Sequence, residues 1–414
     1  MHPVWRRDPQ KSSHSFSPAP LLAFPARWRI SLAFYIFFWA VGVHSRLDSP
    51  GLANYLSSMR ESSLNFLRQL VNTPSPVGHE TRGQRVWLDY AKQFADETFS
   101  DAYGNCVAVR NKGGFPRIML AAHADEIAMA VNYIDDNGYL YVRRMGGVDA
   151  AITKAQRIVI HTRKGPVKGV VGNVAPHLMK LEGDPKPPKI HDLFIDIGVS
   201  KRSEAEKLVR VGDPITLVDE FDILRGDLAV ARAFDNRIGT FAVAEALRLL
   251  AESKLKLHAE VCAVSNVQEE VGLLGARQIA YSLKPDIALV VDVTHATDYP
   301  TVSKTQHGDI KIGGGPALTH GGCNHPEVVA RLEAVAKAKK LPLQHEAMSS
   351  TSGTDTDVIF WTRGGIASAL ISLPNRYMHS PVEVVSLKDL EQIPQLLTAF
   401  VQSVKKGERF KVKI

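Results

Sequence analysis

Acidic and imidazole side chains stand at or just beyond several apolar runs of this chain. They are His123 and Asp125 in "AAHADE", Asp235 in "AFDNR", Glu269 and Glu270 in "NVQEEVGLLGA", Asp292 closing "DIALVVD", and His379 in "RYMHSP". In an open α/β sheet, sites form outside the carboxyl ends of the strands. Neighbouring carboxylates there repel each other and resist desolvation. Several of them converging with histidines need positive charge to gather them, and a divalent metal ion, or two, supplies it. Each residue alone has an ordinary reading: an Asp after a strand caps a turn or helix, a lone His is structural, and a Glu-Glu pair is solvated surface. The recurrence at the ends of apolar runs is what argues for a site. His177, His191 and His295 lack such partners and are read as structural or exposed.

The elements that must position these residues follow from periodicity. Apolar residues recur at helical spacing in 59–72 and again over about 82–98, and "PRIMLAAHADEIAM" contains a strand through Ile118–Ala122. After "ARAFDNRIGT" the chain alternates helix (about 236–253), strand (257–267), helix (272–282) and strand (285–292). A helix at 325–339, a strand in "IASALISL" and a last helix at 387–405 complete the pattern. Alternation of this kind predicts an α/β sheet covered by helices on both faces. Residues 127–225 differ, with short alternating strands ("YLYVRR", "QRIVIHT", "VKGVVG", "DLFIDIG") and Gly- and Pro-rich turns. The expected organisation is therefore an α/β domain from 54–126 and 226–414, which carries the candidate site residues, interrupted by a β-rich domain at 127–225. Short strands leave edges that need covering, so the insertion is expected to mediate self-association.

Charge and composition exclude other classes. The net charge is +7, but residues 1–50 carry six Arg and Lys against two Asp, so the rest is nearly balanced. No basic stripe with interleaved aromatics appears, which argues against nucleic-acid binding. Cys106, Cys262 and Cys323 are widely spaced and form no zinc-ribbon or disulfide pattern. Residues 1–53 read as an N-terminal extension outside the fold. Its apolar run, Ile30–Val43, is short for a membrane span. It suits the hydrophobic part of a signal peptide, with Arg27 and Arg29 before it; a disordered or mis-started extension is the alternative. A cytoplasmic protein is expected, with export through this segment as the competing reading.

His-x-Asp, a lone Asp, Glu-Glu, Asp and a late His, in that order, resemble the ligand series of dinuclear zinc exopeptidases. Within these, "HADE", "GGVDA", "GVVGNVAPHL", "LFIDIGVSKRSEAE", "VGDPITL", "ARAFDNRIGT", "QEEVGLLGA", "GTDTDVIF" and "RYMHSPVEVV" resemble the tetrahedral aminopeptidases. That group includes glutamyl and deblocking aminopeptidases and proteins labelled as cellulase-like endoglucanases. His123 and Asp235 stand 112 positions apart, and the β-rich stretch that fills this gap separates it from the aminoacylase and carboxypeptidase-like group.

The resemblance implies a mixed sheet sandwiched by helices, a PDZ-like inserted domain used for subunit contact, and assemblies from dimer to dodecamer. It implies two divalent ions per subunit, zinc or cobalt, and peptide substrates with free N-termini. Asp235 would bridge the ions, His123 and Asp292 completing one and Glu270 with His379 the other. Glu269 would be the general base, and Asp125 would orient His123. The competing readings are a metal-dependent deacylase, a glycan hydrolase or an inactive scaffold. Glycosidases normally work with two carboxylates and no metal, which counts against the second. One departure is His320-Gly321 after "GGGPALT", where the family commonly has Arg-Gly.

Overall fold

Runs such as "IMLAA" and "VCAV" are apolar at consecutive positions, as strands with both faces covered are. The computed structural model describes residues 59–178 and 187–414; the extension and its apolar run Ile30–Val43 lie outside the described residues. Strands β1 (Glu97–Ser100), β2 (Cys106–Arg110) and β3 (Arg117–His123) come first. Next are β4 (Ala128–Ile134), β5 (Leu140–Met145), β6 (Arg157–Thr162), β7 (Gly165–Val171), β8 (Phe194–Asp196) and β9 (Pro214–Leu217). They are followed by β10 (Asp222–Arg225), β11 (Leu228–Ala231), β12 (Glu260–Asn266) and β13 (Ile287–His295). The last are β14 (Ala317–His320), β15 (Gln344–Ala347), β16 (Ala367–Asn375) and β17 (Glu383–Ser386). The longer helices are α1 (Glu61–Asn72), α2 (Thr81–Ala91), α3 (Phe234–Glu252), α4 (Leu274–Leu283), α5 (Pro326–Lys339) and α6 (Leu387–Ser403).

Eight strands form a mixed sheet in the order β1-β2-β12-β3-β13-β16-β14-β15. Its middle, β12-β3-β13-β16, is parallel throughout, so four strands end on the same edge. From β3 the chain crosses to β12 on one side, then returns past β3 to β13 on the other. That reversal is a topological switch point, where the loops diverge and leave a crevice. Period-2 alternation divides the strand residues between two cores. Ile118, Leu120 and Ala122 face the core built with α1, α2, α3, α5 and α6, while Met119 and Ala121 face the smaller core under α4. The expected α/β sheet covered on both faces is what forms.

Two elements differ from their expected form. The helix expected over 82–98 stops at Ala91, and Glu97–Ser100 is strand β1. All four β1 residues are exposed on the sheet edge, so no apolar periodicity marked them; Thr98 and Phe99, which favour strands, were the local signal. The β-rich stretch closes into an antiparallel barrel in the order β4-β5-β8-β7-β6-β9, around Val131, Leu140, Ile158, Ile195 and Ile215. Within the barrel each strand has a partner on both sides, but β8 meets β5 and β7 over only two residue pairs each, and β10 keeps one edge open. The hairpin β10–β11 instead joins β17, Ala231 standing opposite Glu383. No described helix is long and apolar enough to cross a membrane.

Trp87 shows how tightly the larger core is set: it is fully buried and its indole N–H donates to the Thr240 carbonyl at 2.8 Å. Trp87→Ala is expected to lower unfolding free energy by about 3–5 kcal/mol in denaturant titration. Trp361→Ala, at a position 76% exposed, is expected to change it by no more than about 0.5 kcal/mol. Equal losses at the two positions would contradict this placement of the core.

Candidate metal centre

The register of the parallel strands delivers the first side chains. His123 ends β3 opposite Asn266, the last residue of β12. Val290 of β13 stands opposite Ala121, so Asp292 comes level with His123. Glu269 and Glu270 follow the end of β12, and His379 lies in the loop between β16 and β17. Asp235 arrives from the first turn of α3, where Asp235 (φ −75°, ψ 108°) and Asn236 (φ −119°, ψ 43°) are not yet helical. Asn236 makes this start possible: its side-chain oxygen accepts from Gly239 N–H at 3.0 Å, and its amide donates to the Val291 carbonyl at 2.7 Å. That last bond ties Asp235 to the strand carrying Asp292.

The polar atoms converge. His123 Nε2 lies 3.2 Å from Asp235 Oδ1, 3.8 Å from Glu269 Oε2 and 3.9 Å from Asp292 Oδ1. His379 Nε2 lies 3.3 Å from Asp235 Oδ2 and 3.4 Å from Glu270 Oε1. The two oxygens of Asp235 thus face different imidazoles. Asp125 sits behind them with no exposure, its Oδ1 3.4 Å from His123 Nδ1. Its two oxygens also accept the backbone N–H groups of Glu269 and Glu270, each at 3.0 Å. All seven residues singled out in the sequence meet in this one place.

Backbone strain surrounds the cluster. Gln268, Leu273, Tyr377 and His379 all adopt positive φ, between 57° and 62°. For non-glycine residues this conformation costs roughly 1–3 kcal/mol each and survives only where the surroundings enforce it. The barrel reaches in through the turn after β5: a Cβ on Gly147 would stand 2.5 Å from His379 Nδ1, so only glycine fits beside that ring.

Several participants were not assigned a role from the sequence. Glu383, buried on β17, accepts the backbone N–H of Asp235 and that of His379, both at 2.9 Å. Asp355 accepts from the Asn266 side chain at 2.6 Å. Both lie within the stretches "RYMHSPVEVV" and "GTDTDVIF" that carried the resemblance, but their partners are backbone and amide groups that residue type does not reveal. Glu126 pairs with Arg232 and, at 3.1 Å, with Arg237, on either side of Asp235. His295, set aside in the sequence, lines the same cavity; His177 and His191 are exposed.

The electrostatics follow from crowding acids away from water. Burial pushes Glu269 up to about 10, with Asp355, Asp292 and Glu270 adding to the shift and His123 opposing it. Burial likewise raises Glu270 and holds Asp292 well above the carboxylate range. Burial alone would lower both imidazoles. Asp235 and Glu270 nonetheless hold His379 up to about 11, and Glu269, Asp125 and Asp235 hold His123 well above its ordinary value. Asp235 is the exception among the acids: despite its burial, the two histidines depress it. Side chains alone balance this pocket by keeping protons on it, which a divalent cation would displace. The donors are imidazole nitrogens and carboxylate oxygens without thiolate, a set that suits zinc and neighbouring divalent ions. His123, Asp235 and Glu270, and again His123, Glu269 and Asp292, present donor atoms close enough to share an ion. The residues fit a metal centre.

A cavity of about 610 Å³ opens above these atoms, walled by Leu273, Met348, Thr354 and Met378. A larger one, about 860 Å³, lies beside Tyr281, Trp361 and Arg363 but contains no histidine. Size favours the second and chemistry the first; the first is the candidate site because only it joins an opening to convergent donors.

Comparison with known proteins agrees with this assignment. The chain is 35% identical to the lysyl aminopeptidase of Pyrococcus furiosus, over 82% of this chain and 97% of that protein. A TET aminopeptidase structure from Thaumarchaeota archaeon SCGC AB-539-E09 superposes with a TM-score of 0.79 at 33% identity, covering 83% of this chain and 96% of the other. The Pyrococcus horikoshii TET1 peptidase, described as assembling into a tetrahedron or a large octahedral shell, gives 0.74 at 29% identity, covering 83% and 100%. The M42 glutamyl aminopeptidase family matches residues 104–396, which take in every residue of the centre and the barrel between them, and the chain belongs to that family of peptidases.

Proposed function

We propose that this aminopeptidase is a two-metal enzyme in which Glu269 is the general base, acting on peptides with a free N-terminus. The observation that carries this reading is the divided carboxylate of Asp235, with Oδ1 toward His123 and Oδ2 toward His379. It supports Asp235 as the bridging ligand, His123 and Asp292 as ligands of one ion, and Glu270 and His379 as ligands of the other. Such ions supply a water of lowered pKa and polarise the scissile carbonyl. Glu269 lies close enough to His123 and Asp292 to share their ion, but in this reading it would instead accept the proton of the attacking water and return it to the leaving amine. Its carboxyl needs positive charge nearby to work as a base, because burial otherwise keeps it protonated. Asp125 and Glu383 act through other residues: each carboxylate takes two backbone N–H groups and so positions the pair Glu269–Glu270 or the pair Asp235–His379.

The same reading includes a homo-oligomer of two to twelve subunits that uses the inserted domain, and zinc or cobalt as the ion. The assembly named for the Pyrococcus horikoshii relative supports the first. All three cysteines are free, which suits the reducing cytoplasm.

Glu269→Gln keeps size and hydrogen bonding but removes the proton acceptor. Turnover of aminoacyl-nitroanilides is expected to fall roughly 10²–10⁴-fold, while metal content measured by elemental analysis stays at the wild-type level. Glu270→Gln is expected to lose or loosen one ion and to recover rate in excess metal. The opposite pattern would mean that the two roles are exchanged.

Glu383→Gln tests positioning. The amide leaves only one acceptor for two N–H groups, and metal affinity in a zinc-buffered titration is expected to drop by about 10–100-fold, as when hydrogen bonds that orient ligands are removed. Unchanged affinity would show that Glu383 does not hold the ligand loops.

Light scattering at micromolar concentration is expected to find an oligomer; a monomer would rule out the assembly reading and leave the chemistry standing.

A further inference from the structure

Outside the catalytic cavity, the described residues hold one other group of imidazole and carboxylate atoms close enough to share an ion: His320, Glu333 and His345. The pairing of β14 with β15 is parallel, Leu318 opposite His345 and Thr319 opposite Glu346. His320 and His345 therefore lie on one face, the face of Leu318, which packs with Val328 and Leu332 of α5. Glu333 comes down from α5 itself. Thr319 and Glu346 lie on the other face, where Glu346 also bonds Thr294 at the cavity wall. His320 Nε2 stands 2.8 Å from His345 Nδ1, and Glu333 Oε1 is 3.9 Å from each ring. The rings are tilted by 41° and meet nitrogen to nitrogen, so stacking is not what brings them together.

We propose that His320, Glu333 and His345 bind a divalent transition ion of the Zn²⁺ or Ni²⁺ type at a second site, separate from the catalytic pocket. Two imidazoles and one carboxylate make a complete three-ligand set with the fourth position left for water. The nitrogen donors select against Ca²⁺ and Mg²⁺, which take oxygen. The competing account is a neutral His–His hydrogen bond, in which one ring must donate and the other accept. An ion uses a lone pair from both rings and adds the carboxylate, which the hydrogen bond leaves outside. All three side chains are between 40% and 51% exposed, so they can turn the few tenths of an ångström required and an ion can reach them. Bound there, it ties the edge strand β15 to α5. The segment leaving β15 supplies Met348 and Thr354 to the catalytic cavity, and Met348 N–H donates to the His320 carbonyl at 2.8 Å. The ion at this second site therefore anchors the root of one cavity wall.

The test is equilibrium dialysis of the full chain against low-micromolar free Zn²⁺, with bound metal counted for wild type and for His320→Gln/His345→Gln. The double variant is expected to bind one ion fewer per chain, and to lose part of the zinc-dependent rise in melting temperature. Glu333→Gln is expected to release the same ion at lower chelator concentration. Equal metal content in wild type and double variant overturns the proposal. Should the double variant misfold by circular dichroism, His345→Gln alone is judged by the same difference. Because the readout is that difference, it stands whatever number of ions the catalytic pocket holds.

Discussion

Mutual repulsion among Asp235, Glu269, Glu270 and Asp292 is the constraint around which this molecule is built. Two like charges about 4 Å apart cost about 4 kcal/mol even at an effective dielectric of 20. A whole domain is stable by only about 5–15 kcal/mol. Packing alone cannot hold four ionised carboxylates together in a buried cleft. The histidines relieve part of the strain, and Asp235, with an imidazole on each oxygen, is the acid they relieve most. The remainder calls for cations, which is why a metal centre is the natural reading of the pocket.

Holding the ligands in place is a separate task from neutralising them, and the chain meets it twice in the same way. Asp125, just past the end of β3, grips the two glutamate N–H groups, and Glu383 grips those of Asp235 and His379 from β17. Each is a buried carboxylate that spends its oxygens on backbone, fixing a pair of residues at once. The left-handed residues around the centre are tolerable because such bonds over-determine the loops. The parallel strands set the level of His123 and Asp292, and the sheet's two apolar cores make that level rigid.

Much of this was legible in the sequence because metal binding restricts residue type. His123, Asp235, Glu269, Glu270, Asp292 and His379 stood out as polar residues closing apolar runs, and the structure brings them together. Glu383 and Asp355 did not stand out, since accepting a hydrogen bond from backbone or amide is a task many side chains perform. Their assignment needs the partner, and partners such as Asp235 and Glu383 are far apart in the chain. The β-rich stretch was visible as strands, but barrel closure depends on β4 meeting β9, a pairing that no local pattern announces. Strand β1 was missed for the opposite reason: with both faces exposed, it carries no burial signal at all.

Closure of the barrel also bears on how such a chain could have been assembled. Because β4 and β9 are hydrogen-bonded neighbours, Met129 beside Ile215, the polypeptide leaves the catalytic layer and returns to it at nearly the same point. To the sheet, the whole insertion is therefore a loop with its ends already together, and loop closure depends only weakly on length. A module mounted this way can be lengthened, exchanged or grafted without disturbing strand order beneath it. The turn bearing Gly147, pressed against His379, is a part that would have to be kept.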